Sequence, residues 1–191
     1  MSIRFPALIL LLMAAPASRA QVTLLEAGEN AFRVSGGAAQ AFIASGTTLA
    51  AEAGGTLGRV DLSAGYLRLP QQRGQGTAFS VEVAPLRDPT FAVTLFASGQ
   101  WVRYSEEGQD RWRPTGYRAL AAGGGFAFPI RLEGQGRLAP EFRVFILRSG
   151  ETGAEGYRES AGGPGLSVSL PIRTDLPGGF AILAAPSLAT A

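Results

Sequence analysis

The chain of 191 residues contains no cysteine, no histidine and no lysine, so all 17 of its basic residues are arginine. These absences exclude chemistry before any pattern is read. Without cysteine there is no disulfide framework, thiolate metal site or cysteine nucleophile. Without histidine no Ser-His-Asp triad can be assembled. Without lysine there is no Schiff base and no lysine-bearing phosphate loop. Charge is sparse as well: 17% of residues are charged and 46% are apolar, the wrong composition for disorder. The length points to one domain. No apolar run reaches the ~20 residues that a membrane-spanning helix needs.

What is present begins with a leader. Residues 1–20, MSIRFPALILLLMAAPASRA, read as a secretory signal. Arg4 supplies the positive start, residues 7–15 the short apolar run, and Ser18 and Ala20 the small residues before a cleavage at Gln21. Residues 21–191 then form a single domain. Arg4 and Arg19 leave with the leader, so 15 arginines face 15 Asp and Glu, and the formal net charge falls from +2 to zero. Nucleic acid is therefore not an expected partner. An exported chain without cysteine must be held by burial and hydrogen bonding alone.

The remainder alternates with a period of two, the pattern of strands. In 90–104, Phe91, Val93, Leu95, Ala97, Gly99 and Trp101 share one face, and Ala92, Thr94, Phe96, Ser98 and Gln100 the other. In 57–69, Val60, Leu62, Ala64 and Tyr66 oppose Arg59, Asp61 and Ser63. The same alternation runs through 77–86, 137–149, 164–173 and 179–189, with a glycine-interrupted strand over 115–130 and weaker strands within 30–36 and 39–53. Long polar links at 70–76, 105–114 and 150–163 alternate with short ones at 87–89, 132–136 and 174–178. That is an antiparallel up-and-down meander whose two ends face different surroundings. The length suits about eight strands closing into a small barrel, which removes free edges and is filled by its own side chains.

Alternation alone does not say which face meets water. A soluble sandwich buries its apolar face; an outer-membrane barrel turns it to lipid and keeps polar groups inside. Three features favour the barrel. Ordinary strands run ~5–6 residues, whereas a tilted membrane strand needs ~9–11. Phe91 and Trp101 lie on one face at a spacing of roughly 34 Å along the strand, or about 26 Å along a tilted barrel axis, matching an aromatic-bounded apolar band. The polar face carries small residues with isolated charges of both signs: Glu52, Arg59, Asp61, Glu82, Arg118, Glu141 and Arg143. Arg59, Asp61, Glu82, Glu141 and Arg143 are the expected barrel-interior charges, pairing as ions in a confined space.

The repeated hairpins GRVDLSAGYLRLP, GTAFSVEVAPLRDPTFAVTLFASGQW and GRLAPEFRVFILRSGE make residues from about 30 to 189 resemble the small bacterial outer-membrane β-barrels, of OmpA-like or porin-like general type. The resemblance implies an integral outer-membrane protein whose partners are the lipid bilayer and small solutes or a surface ligand. Its implied role is structural, permeability-related or surface-interacting, with no cofactor. Barrels of that class usually end on an aromatic residue, whereas this chain ends Leu188-Ala189-Thr190-Ala191, and a single strand over 179–189 would finish at the long-link end. The alternative is a soluble exported β-sandwich or lipocalin-like barrel, periplasmic or secreted, that binds a ligand or partner.

Catalytic options reduce to Ser, Thr, Tyr, Arg and carboxylates. Barrel-borne lipid A deacylases, palmitoyltransferases, phospholipases and omptin-like proteases depend on histidine, so their sites do not carry over. Asp61 and Glu82 fall on the polar faces of consecutive strands, where an acid–base pair is conceivable. A salt-bridge network with Arg59 and Arg143 is the commoner arrangement, and no catalytic residue is expected. In the link 105–114, Trp112 between Arg111 and Arg113 is a candidate contact for a carbohydrate, a lipid headgroup or a protein. Glu151, Glu155 and Glu159 recur every four residues, but calcium needs six or more oxygens on a tight framework, and no metal site is expected.

Overall fold

The computed structural model describes residues 30–40, 47–71, 73–105, 115–133, 136–153 and 156–190. The expected leader therefore lies outside the described residues, as do Arg111, Trp112 and Arg113. What is described is all-β. Eight long strands carry the fold: β1 (Ala31–Gln40), β2 (Thr47–Leu57), β3 (Val60–Leu69), β4 (Gly74–Arg87), β5 (Ala92–Tyr104), β6 (Gly116–Ala127), β9 (Glu141–Gly153) and β10 (Gly156–Ser169). Five short ones join them: β7 (Ile130–Arg131), β8 (Gly136–Leu138), β11 (Ile172–Leu176), β12 (Phe180–Ala184) and β13 (Ser187–Thr190).

The main sheet has the order β1-β2-β3-β4-β5-β6-β9-β10-β13 and curls into a half-barrel. Every long strand pairs antiparallel with its neighbours. A small second sheet, β12-β11-β8-β7, is built from the segments that leave the short-turn end. The eight long strands have 10–14 residues each, about twice the usual strand. They can run that far because the alternation is rarely broken. Two strands break it: β10, whose register shifts between Glu159 and Ala161, and β4, whose register shifts between Val83 and Leu86, around Pro85, which has no N–H to give a neighbour.

The structure differs from the sequence reading at several places, the first being that 137–149 divides between β8 and β9 and 164–173 between β10 and β11, around Pro140 and Pro171, with β8 and β11 in the small sheet. Residues 57–69 are not one strand. Leu57 pairs with Val60 across a two-residue turn, Gly58-Arg59, in which Gly58 has φ +60°, the left-handed start that a type II′ hairpin reserves for glycine. Residues 150–163 are not a long link, because β9 and β10 continue pairing through them to Gly153 and Gly156. Backbone pairing does not require apolar side chains, so strands outlast their hydrophobic stretch. The short link over 132–136 lies within the β7–β8 hairpin. Finally, residues 179–189 divide into β12 and β13, separated around Pro186, and only β13 joins the main sheet, beside the last four residues of β10.

The two faces of the curled sheet have opposite chemistry. Outward lie Leu62, Leu95, Phe126, Phe142, Val144 and Ile146, each more than half exposed, with Ile146 at 65%. Inward lie Arg33, Glu52, Thr56, Asp61, Ser63, Ser80, Glu82, Thr94, Ser98, Gln100, Glu141, Arg143 and Ser149, all buried. Toward the long-link end the inner face changes to an apolar cluster that includes Leu67, Leu69, Val102, Tyr117 and Leu147. Aromatics mark both ends of the outer face. Phe91 stacks on Phe126 at 5.7 Å near the short turns, and Phe79 on Trp101 at 5.2 Å nearer the long links.

Candidate functional site

The inner polar face holds two ion clusters. In the first, Arg33 reaches from β1 to Asp61 on β3, donating from Nη2 to Oδ1 at 2.8 Å. The Thr56 hydroxyl donates to the other oxygen of Asp61, and Glu52 stands 3.8 Å from the same guanidinium. In the second, Arg143 on β9 donates to Glu82 on β4 at 2.9 Å and sits 2.7 Å from Glu141. Ser169 and Thr94 donate to the two oxygens of Glu141 at 3.2 and 3.4 Å. The Arg143 guanidinium also lies 5.0 Å from the ring centroid of Phe96. Ser63 and Ser80 share a hydrogen bond of 2.6 Å on the same face.

Local sequence explains how these groups fit. Large side chains on one inner face need small neighbours opposite. Gly125 pairs with Arg143 and Gly123 with Phe145. A Cβ at Gly125 would stand 2.7 Å from Arg143 Cγ and 2.5 Å from the Phe142 carbonyl. The run Gly123-Gly124-Gly125 thus makes room for Arg143 and Phe145, the close approach that interior strand glycines permit.

The expected interior charges separate into two groups. Asp61, Glu82, Glu141 and Arg143 come together on the inner face. Arg59 does not. It occupies the exposed β2–β3 turn, donating from Nη1 to the Pro85 carbonyl at 3.0 Å while its own carbonyl accepts from Ala84 N–H. It braces the β4 bulge, and the cation beside Asp61 is Arg33. The alternation Phe32-Arg33-Val34 carried the signal for Arg33, which pattern reading of the later hairpins passed over. Arg118 is likewise on the outer face, exposed, because the inner positions of β6 are the odd-numbered ones from Tyr117 to Ala127.

Each carboxylate of the clusters is matched to a guanidinium or a hydroxyl, and the apolar cluster beyond Ser63 and Ser80 covers the long-link side. Such networks are expensive to bury and costly to break. Among the described residues no group of three or more Asp and Glu is arranged to hold a metal ion. Comparison with known proteins gave no match to this chain among family models, curated sequences or solved structures.

Proposed function

We propose that this chain is an integral outer-membrane β-barrel with a structural, permeability or surface-interaction role and no catalytic one. The observation that carries the reading is the inversion of its two faces. Val144 is 58% exposed while Asp61 and Glu82 are 1% and 2% exposed. In water that arrangement would leave an apolar surface extending over many strands, far beyond the few hundred Å² usual for a soluble monomer. In lipid the same surface is the favourable one.

The reading includes closure. β1 runs from the short-turn end toward the long links, and β10 runs the opposite way. The eight long strands are even in number, so β1 and β10 can pair antiparallel and complete a barrel, with the start of β1 and the end of β10 both at the short-turn side. β13 lies along the last four residues of β10 only, Leu166–Ser169, and leaves the rest of that edge for β1. β13 still runs toward the long links, antiparallel to β10, but it spans only four residues and ends at Thr190, opposite Leu166. Apolar packing inside favours a plugged barrel over an open channel. The test is cell fractionation followed by detergent extraction. The protein should stay with the membrane, need detergent for release, and change electrophoretic mobility on boiling. Release from the periplasm without detergent overturns the proposal in favour of a soluble exported protein.

A further inference from the structure

A second pattern lies at the short-turn end. The strands β6, β9, β10 and β13 lie side by side in the main sheet, and β7, β8, β11 and β12 follow in the same order in the small one. Each is joined to its counterpart by two residues, the second a proline: Pro129, Pro140, Pro171 and Pro186. The prolines form one transverse row. Phe128 N–H donates to the Pro140 carbonyl at 3.0 Å, Ala139 N–H to the Pro171 carbonyl at 2.9 Å and Leu170 N–H to the Pro186 carbonyl at 2.9 Å. Proline has no N–H with which to continue a ladder, so the row is a crease across four adjacent strands.

Side-chain alternation carries through the crease. Phe126, Phe142 and Val168 share an outward row on the main sheet. Ile130, Leu138 and Ile172, four residues away on the same strands, share the corresponding row on the small one. Ile182 and the cross-strand pair Leu176 and Phe180 extend that face, with Phe180 74% and Ile182 61% exposed. The reverse face carries Arg131, Arg137 and Arg173 in one cross-strand row, and Asp175 accepts from Arg173 Nε at 2.6 Å. The small sheet is therefore two-faced, apolar on the side continuous with the outer wall and basic on the other. Strands running straight on would take Leu176 about 20 Å past Leu170, beyond the Phe91 and Phe126 aromatics, and hold the apolar face in water.

We infer that the small sheet lies with its apolar face on the lipid leaflet at the short-turn side of the bilayer, the proline row being the bend that brings it there. The inference rests on the membrane reading. Lipid is the occupant because the face is the unbroken extension of the surface assigned to acyl chains, and because all three arginines stand on the reverse. An amphipathic helix with the same division lies in the interface in that orientation.

The test uses the full mature chain, which has no cysteine of its own, folded in detergent and reconstituted into phosphatidylcholine vesicles. The single variants Phe180→Cys, Ala181→Cys, Ile182→Cys and Val144→Cys each carry an environment-sensitive thiol fluorophore and are read only in folded, heat-shifting protein. Ala181 stands between the two apolar positions but on the reverse face. Quenchers are nitroxide-labelled phosphatidylcholine and aqueous iodide. Probes at Phe180 and Ile182 should blue-shift on reconstitution, lose intensity to the lipid quencher and resist iodide. The probe at Ala181 should lose intensity to iodide and resist the lipid quencher. Two apolar sites are used so that a variant that misfolds does not decide the matter. Iodide quenching at Phe180 and Ile182, with lipid quenching at Val144, overturns this inference alone. Protection of both from either quencher also overturns it, since another protein surface, such as a second copy of the chain, then covers the face. Lipid quenching at Ala181 as strong as at Ile182 overturns the two-faced placement. A Val144 probe that iodide reaches and lipid does not overturns the membrane reading with it.

Discussion

Asp61 and Glu82 face each other as cross-strand partners on β3 and β4, two carboxylates in one pair, and each takes its counter-ion from elsewhere in the sheet. Asp61 is held by Arg33 from β1, and Glu82 by Arg143 from β9. Two strands stand between β4 and β9, about 14 Å along a flat sheet. A contact of 2.9 Å between Arg143 and Glu82 requires the inner face to converge, so this ion pair works as a tie across the curl. Like charges placed opposite one another disfavour a sheet, and the two arginines reverse that penalty.

Arg143→Met should therefore destabilise the folded protein by about 3–5 kcal/mol, because it leaves Glu82 and Glu141 buried without their cation. Arg59→Gln, at an exposed turn, should change stability by no more than about 0.5 kcal/mol. Urea unfolding of the protein in detergent, read by its tryptophan fluorescence, compares the two. A small effect at Arg143 would show that the tie is dispensable.

Val144→Arg separates lipid from water as the solvent of the outer face. In a bilayer the substitution should cost about 2–4 kcal/mol if the site lies near midplane. On a water-facing surface an exposed valine accepts arginine within about 0.5 kcal/mol. Yield of folded, heat-shifting protein in vesicles is the measurement, with Val144→Leu as the control that should fold normally.

Gly125→Ala should destabilise by about 1–3 kcal/mol, the usual range for forcing extra atoms into a packed interior. Gly153→Ala should be tolerated, because a Cβ there meets nothing within 4 Å. Thermal unfolding of the two variants tests whether the glycine run serves the Arg143 and Phe145 side chains.

Barrel closure can be tested on a clean background, since the chain has no cysteine of its own. Val34→Cys on β1 combined in turn with a single cysteine at each position from Gly162 to Leu166 on β10 should cross-link only at the outward position opposite Val34, because a diagonal partner lies about 7–8 Å away and beyond disulfide reach. Absence of any cross-link in the membrane-embedded protein would mean that the two edges stay apart.

Much of this architecture was readable from the sequence, and the reasons are physical. The period-two alternation in β5 and β9 is long and uninterrupted, and β3 and the first part of β4 alternate in the same way, so the inward positions of Asp61, Glu82, Glu141 and Arg143 are legible from it. What was misplaced depended on local backbone geometry. Arg59 looked like an inner residue because Gly58 hides a two-residue turn inside a continuous apolar-polar pattern. Arg118 was assigned to the wrong face because Gly123-Gly124-Gly125 gives no side-chain alternation from which to count. Arg33 was overlooked as a partner because its ion pair joins strands β1 and β3, which no spacing in one segment reveals.

The meander has a consequence for how such a chain can vary. Among the eight long strands, each lies beside its predecessor in the chain, β7 and β8 being only a short excursion between β6 and β9. The hairpin is thus a modular unit. Removing or duplicating one would leave the direction of every remaining strand unchanged and return both ends of the chain to the same side. Variants of this chain can accordingly differ in sheet width by whole hairpins, provided that the partners tied across the inner face, such as Glu82 and Arg143, are gained or lost together.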